Sequence, residues 1–358
     1  MRRRRDFLKS VAGAVAGACV LERAGVRVAA RAPQPSGRRQ VTIGGRRVRV
    51  VDVHAHVTVP EVVPLVKGTA NESNAGARPL AADHIALLDK HGIDIQALSI
   101  NNFWWYGVSD RALADRIARA QNEGLARLVE QHKGRLVGMA STSLQFPDLA
   151  ARQLEDAVTR LDLRAAAVGG HVNNESLSAP KYDPFWAKAA ELGLVVFMHP
   201  NEAHNLVRDG VLGGRGELGN IIGNPLETTH FLSRLIFDGT FDRFPMLKVA
   251  AAHGGGYLPS YLGRTQVACE VREAANCANK KPPSEYLRSQ VLVDTMVFSD
   301  EGLRHLVAEA GVSQVVYGTD MPFYWPATLD LVLNATWLTD AEKEAIVGGN
   351  LLRLLRIT

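Results

Sequence analysis

Three cysteines in 358 residues are too few for a disulfide framework. Cys19 falls in an N-terminal leader. Cys269 and Cys277 are eight positions apart on what reads as one helix, which would hold their Cα atoms roughly 12 Å apart, beyond disulfide reach. Both are expected as free thiols. Past the leader, no apolar run is long enough to cross a bilayer, and no stretch rich in Pro, Gly or Ser marks an internal linker. Positive charge is also scarce where a nucleic-acid groove would need it. The net charge is +4, but residues 1–49 hold 13 Lys or Arg against 2 acids, leaving 28 against 35 for the remainder. That distribution excludes a nucleic-acid partner and assigns the basicity to the leader.

The leader reads MRRRRDFLKSVAGAVAGACVL: a cationic start, then a weakly hydrophobic Ala/Gly run from Val11 to Leu21 that is too short to span a membrane. Arg4 and Arg5 before Asp6, Phe7, Leu8 and Lys9 resemble a twin-arginine export signal. Residues 1–30 are therefore expected to be that signal, with the twin-arginine machinery as a partner and the periplasm as the destination. A non-functional leader would leave the chain in the cytoplasm. Ala18 and Ala30 each offer a small-residue cleavage site, Cys19 offers a lipid anchor, and residues 31–45 are expected to be a linker.

The whole chain has 46% apolar and 22% charged residues, the balance of a globular enzyme. From residue 46 onward, eight short β-branched runs alternate with longer helical patterns: 48–57, 95–101, 135–141, 165–172, 194–200, 247–254, 291–297 and 314–320. The runs are continuously apolar, as strands buried on both faces are. Segments such as DHIALLDKHG and PDLAARQLEDAVTRL lie between them and open on capping or Pro residues. This alternation predicts an α/β fold, a single (β/α)8 TIM barrel over 46–358. Long connections follow the first and fifth runs, residues 58–81 and 201–225, on the face where a barrel holds its active site.

The chemistry sits at the ends of the runs. His54 and His56 are two apart on one strand, about 7 Å along it, so both rings leave the same face. His199 ends the fifth run, His253 the sixth before three glycines, and Asp320 the eighth. Imidazoles and a carboxylate delivered to one rim suit a divalent ion, zinc first, with manganese, iron or cobalt as alternatives and no organic cofactor. Glycines 254–256 fit no phosphate-loop spacing.

In this order and placement DVHAHV, FMHP, AHGGG, PPSEY, YGTDMPF and GGN, spanning about residues 50–352, resemble the metal-dependent amidohydrolase superfamily. Within it they are similar to the aminocarboxymuconate-semialdehyde decarboxylase branch. The resemblance implies His54, His56, His199 and Asp320 as metal ligands and His253 as the catalytic histidine. It implies one ion, because the fourth run ends Gly169, Gly170, His171 and has none of the lysine that bridges two ions in binuclear members. It implies that Arg264 reaches a neighbouring subunit's substrate carboxylate, hence a homodimer. The chain departs from the branch at Asn201 and Glu202, where a tryptophan and an acid are expected, and Arg78 only approximates the second substrate arginine.

The expected activity is decarboxylation of a small unsaturated or aromatic carboxylic acid, with His253 as acid/base. Arg264, Trp104 and Asn201 are the candidate substrate contacts, and Trp105 and Tyr106 with Trp104 either wall the substrate or belong to the core. The alternative on the same residues is hydrolysis of an amide, lactone or ester, with Asp320 taking the proton from a metal-bound water. A third reading is a periplasmic metal-binding protein without turnover.

Overall fold

The computed structural model describes residues 37–358 except 70, 71, 73, 74 and 101–104. The leader, Cys19 and Trp104 lie outside the described residues.

The eight apolar runs form eight parallel strands, β3 (Val51–His56), β4 (Ile95–Ser99), β5 (Leu136–Ala140), β6 (Ala165–Val168), β7 (Val195–Met198), β8 (Lys248–Ala251), β9 (Val291–Asp294) and β10 (Val315–Val316). Each pairs with the next in sequence order. Backbone bonds from Val53 N–H to Tyr317 O (3.0 Å) and from Asp320 N–H to His54 O (2.7 Å) join the last strand to the first. A helix follows each strand in turn, the longest being Arg111–Gln131, whose start is capped by the Asp110 carboxylate. The result is the (β/α)8 barrel.

Alternation along the strands divides the core in two. Val195 and Phe197 join an inner cluster with Ala165, Ala167, Ala250, Leu292 and Val316. Their neighbours Val196 and Met198 join a larger outer cluster with the helices. Side chains of period 2 pack the barrel interior with one set and seat the helix ring with the other.

Two expectations are corrected and one alternative is decided. The segment read as a linker, residues 31–45, belongs to the barrel unit from Arg38 onward. Arg38 pairs with Asp94, and β1 (Thr42–Ile43) pairs with β2 (Arg46–Arg47) as a small hairpin that buries Val41 and Ile43. Cys269 and Cys277 form a disulfide, with their Cα atoms 5.8 Å apart. The helix that was expected to hold them apart stops at Val271, and the chain turns back through Asn276 in the left-handed region. Trp105 and Tyr106 are part of the outer core rather than a substrate wall. The fourth and eighth runs also yield short strands, because from Gly169 and Tyr317 onward the backbone leaves the ladder for the rim.

Candidate metal centre and active site

The alternation that fills the barrel also delivers the rim residues. Phe197, Leu292 and Ala97 point inward, so the inward positions two residues on are His199, Asp294 and Ser99, while Asp320 reaches the same centre from the turn after β10. On β3 the rule needs a bulge. Val51 and Val53 are inner residues but Ala55 is an outer one, and the β3–β4 register shifts between Asp52 and Ala55. The extra residue reverses the alternation and turns His54 and His56 toward the axis.

The structure brings His54, His56, His199 and Asp320 together, all buried, with the ligand atoms they offer within 4.8 Å of one another. Asp320 Oδ1 lies 3.1 Å from Nε2 of both His54 and His56 and 3.8 Å from Nε2 of His199. Each imidazole is held from behind through Nδ1: His54 by Asp294 Oδ2 at 2.6 Å, His56 by Ser99 Oγ at 2.8 Å and His199 by the Pro200 carbonyl at 2.8 Å. Anchoring one ring nitrogen so that the other faces a common point is how proteins orient metal-binding histidines. The Nε2 atoms of His54 and His199 are buried without a hydrogen bond. Together with His56 Nε2, which lies 3.1 Å from Asp320 Oδ1, and the Asp320 carboxylate itself, they fit one divalent cation.

The electrostatics agree. Burial pushes His56 down to about 4 and His199 well below its usual value, so both are neutral donors. Burial also works against charge on His54, but Asp320 and Asp294 on either side prevail and lift it to about 10. Burial opposes ionisation of Asp320 too, yet the surrounding imidazoles, His54 foremost, hold its carboxyl far below the usual range. In the absence of metal, a proton on His54 supplies positive charge that a cation would otherwise bring.

His253 joins the cluster from the loop after β8, with Nε2 3.7 Å from Asp320 Oδ2 and its ring 5.0 Å from that of His199. His253 and Asp320 both have positive φ, 56° and 60°, a conformation that costs a non-glycine residue and persists only where the surroundings impose it. Gly318 allows the close approach: a Cβ there would sit 2.9 Å from the Cβ atoms of both His54 and Asp294. Behind the rim, buried Asp52 accepts hydrogen bonds from Thr319 Oγ1 (2.6 Å), Gln96 Nε2 (2.7 Å) and His54 N–H (2.9 Å), and burial raises it to about 6.

A cavity of about 140 Å³ opens on this centre, lined by His199, Asp320, Asn201, Glu202, Arg78 and Phe323 among others. Arg78 lies 4.9 Å over the Phe323 ring, and its backbone is tied to Thr58 just past β3 by two hydrogen bonds. Asn201 lines the cavity as well. Arg264 does not: it is exposed on the helix Leu262–Val271 and lines a separate groove with Val267 and Val271.

Sequence reasoning missed two residues. Asp294 ends the run VLVD at the same carboxyl edge as the ligands, and that placement was its signal. Glu227 is 1% exposed on the helix Asn224–Phe237 and accepts N–H bonds from Gly170 (3.2 Å), Asn201 (2.8 Å) and Ala203 (2.9 Å). An acid inside a helical pattern gives no sign of such a task.

The amidohydrolase family matches residues 51–357. The 2-amino-3-carboxymuconate-6-semialdehyde decarboxylase of Dictyostelium discoideum is 30% identical over 278 residues, covering 75% of this chain and 74% of that protein. The gamma-resorcylate decarboxylase of a Polaromonas species is 27% identical, over 76% of this chain and 86% of that one. The crystal structure of 5-carboxyvanillate decarboxylase from Sphingomonas paucimobilis matches with a TM-score of 0.77 at 26% identity, covering 87% of this chain and 100% of that one.

Proposed function

The chain belongs to the amidohydrolase family, alongside its decarboxylases, and from that premise we propose that it removes the carboxyl group of a small hydroxylated aromatic acid with one divalent ion. The cavity carries this reading. Its floor is His199 and Asp320 and its wall includes Arg78, so a carboxylate gripped by the guanidinium places its ring against the metal centre.

The ion, when bound, supplies fixed positive charge that orients the substrate's oxygens and offsets negative charge developing on them. His54, His56, His199 and Asp320 would hold it. His253 gives a proton to the ring carbon that bears the carboxylate. The carbon–carbon bond then breaks, its electron pair returns to the ring and carbon dioxide leaves, so the product carries hydrogen where the carboxyl was. His253 recovers its proton from solvent. The exclusion of bulk water from a centre whose ligands are at most 4% exposed for the histidines strengthens each of these charge interactions.

We propose zinc for the site, which its three imidazoles and one carboxylate support. Manganese, iron and cobalt share those donors, and metal analysis of the purified protein distinguishes them. The helix Leu262–Val271 buries only Leu262 and leaves Val267 and Val271 exposed, which supports a homodimer in which Arg264 completes the partner's site. Export to the periplasm is supported by Arg4 and Arg5 and by the Cys269–Cys277 disulfide, a bond kept in oxidising compartments. Replacing both arginines by lysine should retain the protein in the cytoplasm.

The test is carbon dioxide release from gamma-resorcylate, 5-carboxyvanillate and related hydroxybenzoates by protein loaded with zinc or manganese. Release that disappears in His253→Ala supports the reading. Turnover of an ester, lactone or amide without gas would replace it by the hydrolytic one.

A further inference from the structure

Asp294 accepts four hydrogen bonds at the rim, and nothing in the chemistry above requires it to touch substrate. It is 1% exposed at the inward end of β9. One oxygen, Oδ2, accepts His54 Nδ1–H at 2.6 Å and the His253 backbone N–H at 3.1 Å. The other, Oδ1, accepts Gly254 N–H at 2.8 Å and Met296 N–H at 3.1 Å. A single side chain therefore fixes the tautomer of one metal ligand and the backbone of the residue proposed to move the proton. The His253 backbone has a φ of 56° and Gly254 one of 64°, so this short stretch adopts a conformation that an unrestrained chain would leave. Two bonds from one buried anion oppose that relaxation.

The geometry points to Asp294 as a positioning residue that couples the metal centre to the acid/base histidine, so that His54 cannot be reoriented without disturbing the loop that carries His253. This rests on the proposed roles of His54 and His253. It goes beyond them in assigning one carboxylate to both. Its oxygens also separate the two jobs. The Oδ1 bonds hold the strand end and the Gly254 turn, whereas the Oδ2 bonds serve His54 and His253.

Asp294→Asn therefore dissects the residue without changing its size. With the amide oxygen kept toward Gly254 and Met296, the NH2 group replaces Oδ2 and cannot accept from either His54 or His253. Zinc affinity, measured by chelator competition without any turnover, should fall 10- to 100-fold. Hydrogen exchange at the His253 and Gly254 amides should speed up by a similar factor in zinc-saturated protein. With a substrate in hand, kcat should stay depressed at saturating zinc while KM changes little.

Unchanged zinc affinity would overturn the proposal. So would a loss of affinity whose effects on exchange and kcat vanish once zinc saturates, because Asp294 would then serve His54 alone. Should the variant fail to fold, histidine-labelled wild-type protein loaded with zinc gives the answer by nitrogen NMR. His54 must carry its proton on Nδ1, and a proton on Nε2 would overturn the assignment. The zinc, exchange and NMR results stand whether or not carbon dioxide is ever observed, so failure of the decarboxylase reading and failure of this one remain distinct.

Discussion

The floor of the cavity and its wall are built in different ways. The floor, His199 and Asp320 with His54 and His56 of the same centre beside them, comes from the carboxyl ends of β3 and β7 and the turn just after β10, and every member is buried. The wall, from Asn201 to Gly223, is a long loop after β7 whose Val211, Ile221 and Ile222 stay exposed. It is tethered chiefly by Glu227, which takes the N–H groups of Asn201 and Ala203, and by Asn224, which takes that of Glu202 at 2.7 Å. The floor's geometry follows from the barrel. The wall's follows from a few tethers to one helix, so a family can keep its chemistry while the wall changes its preferred acid.

The sharpest way to test this division is to remove one floor residue. Asp320→Ala takes away the one carboxylate of the four-residue donor set. It should abolish stoichiometric metal binding and lower activity by on the order of 10³-fold or more. The wall should not respond: the fold, followed by circular dichroism, stays intact, and Arg78 and Asn201 still border the cavity. Metal content read by elemental analysis decides the matter, and a variant that kept its ion would break the assignment of the floor.

The next effect separates the two regions by pH. In metal-free protein His54 is raised to about 10, so at neutral pH an incoming cation must displace its proton. Apparent zinc affinity should rise about tenfold per pH unit from neutrality toward that value, roughly 100-fold between pH 7 and pH 9. The matching stability has the opposite slope. A raised histidine stabilises the metal-free fold fully below its unfolded value of about 6.5 and loses that contribution as pH climbs through about 10. Chelator competition and thermal melts across that range check both slopes, and a flat affinity profile would mean that His54 is neutral without metal. No wall residue enters this dependence.

What the sequence discloses follows the same division. The strand ends are legible because period-2 alternation and the rule that barrels work at their carboxyl edge need no long-range information; His199 obeys both, and Asp320, in the turn past β10, obeys the second. His54 and His56 required a bulge, which no pattern announces, to face the axis. Asp294 was legible by position and passed over, since a single acid on a strand end has no spacing partner. Glu227 and Arg78 act through the tertiary meeting of a helix or loop with a distant strand, and neither has a local signature. The disulfide was misjudged because the helix was extended past Val271, the point at which the backbone turns to let Cys277 approach Cys269.

Glu227→Ala is the corresponding attack on the wall. It removes both acceptors, Oε1 that takes Gly170 N–H and Oε2 that takes Asn201 N–H and Ala203 N–H, so the Asn201–Ala203 segment loosens at a cost of about 2 kcal/mol in stability. Because that segment borders the substrate and not the ion, KM should rise about tenfold while zinc affinity stays within twofold of wild type. A parallel loss of zinc would mean that floor and wall are one unit, most simply through His199 and Pro200, which lead directly into Asn201.

The smallest functional effect belongs to a site outside both regions. Cys277→Ser opens the loop of eight residues closed by the disulfide, which in the chain-entropy account costs about 2.5 kcal/mol of stability. The bond joins the end of the helix that bears Arg264 to the segment before Pro282, and no residue of the cavity lies on either piece. Melting temperature should drop while zinc affinity is unchanged. Turnover divides the remaining possibilities. If Arg264 completes a partner's site, loosening its helix raises KM in the dimer, and the rise is reproduced by Arg264→Ala with the disulfide intact. If KM is indifferent to both changes, substrate recognition is confined to the wall of a single chain, and Arg78 is the guanidinium that grips the acid.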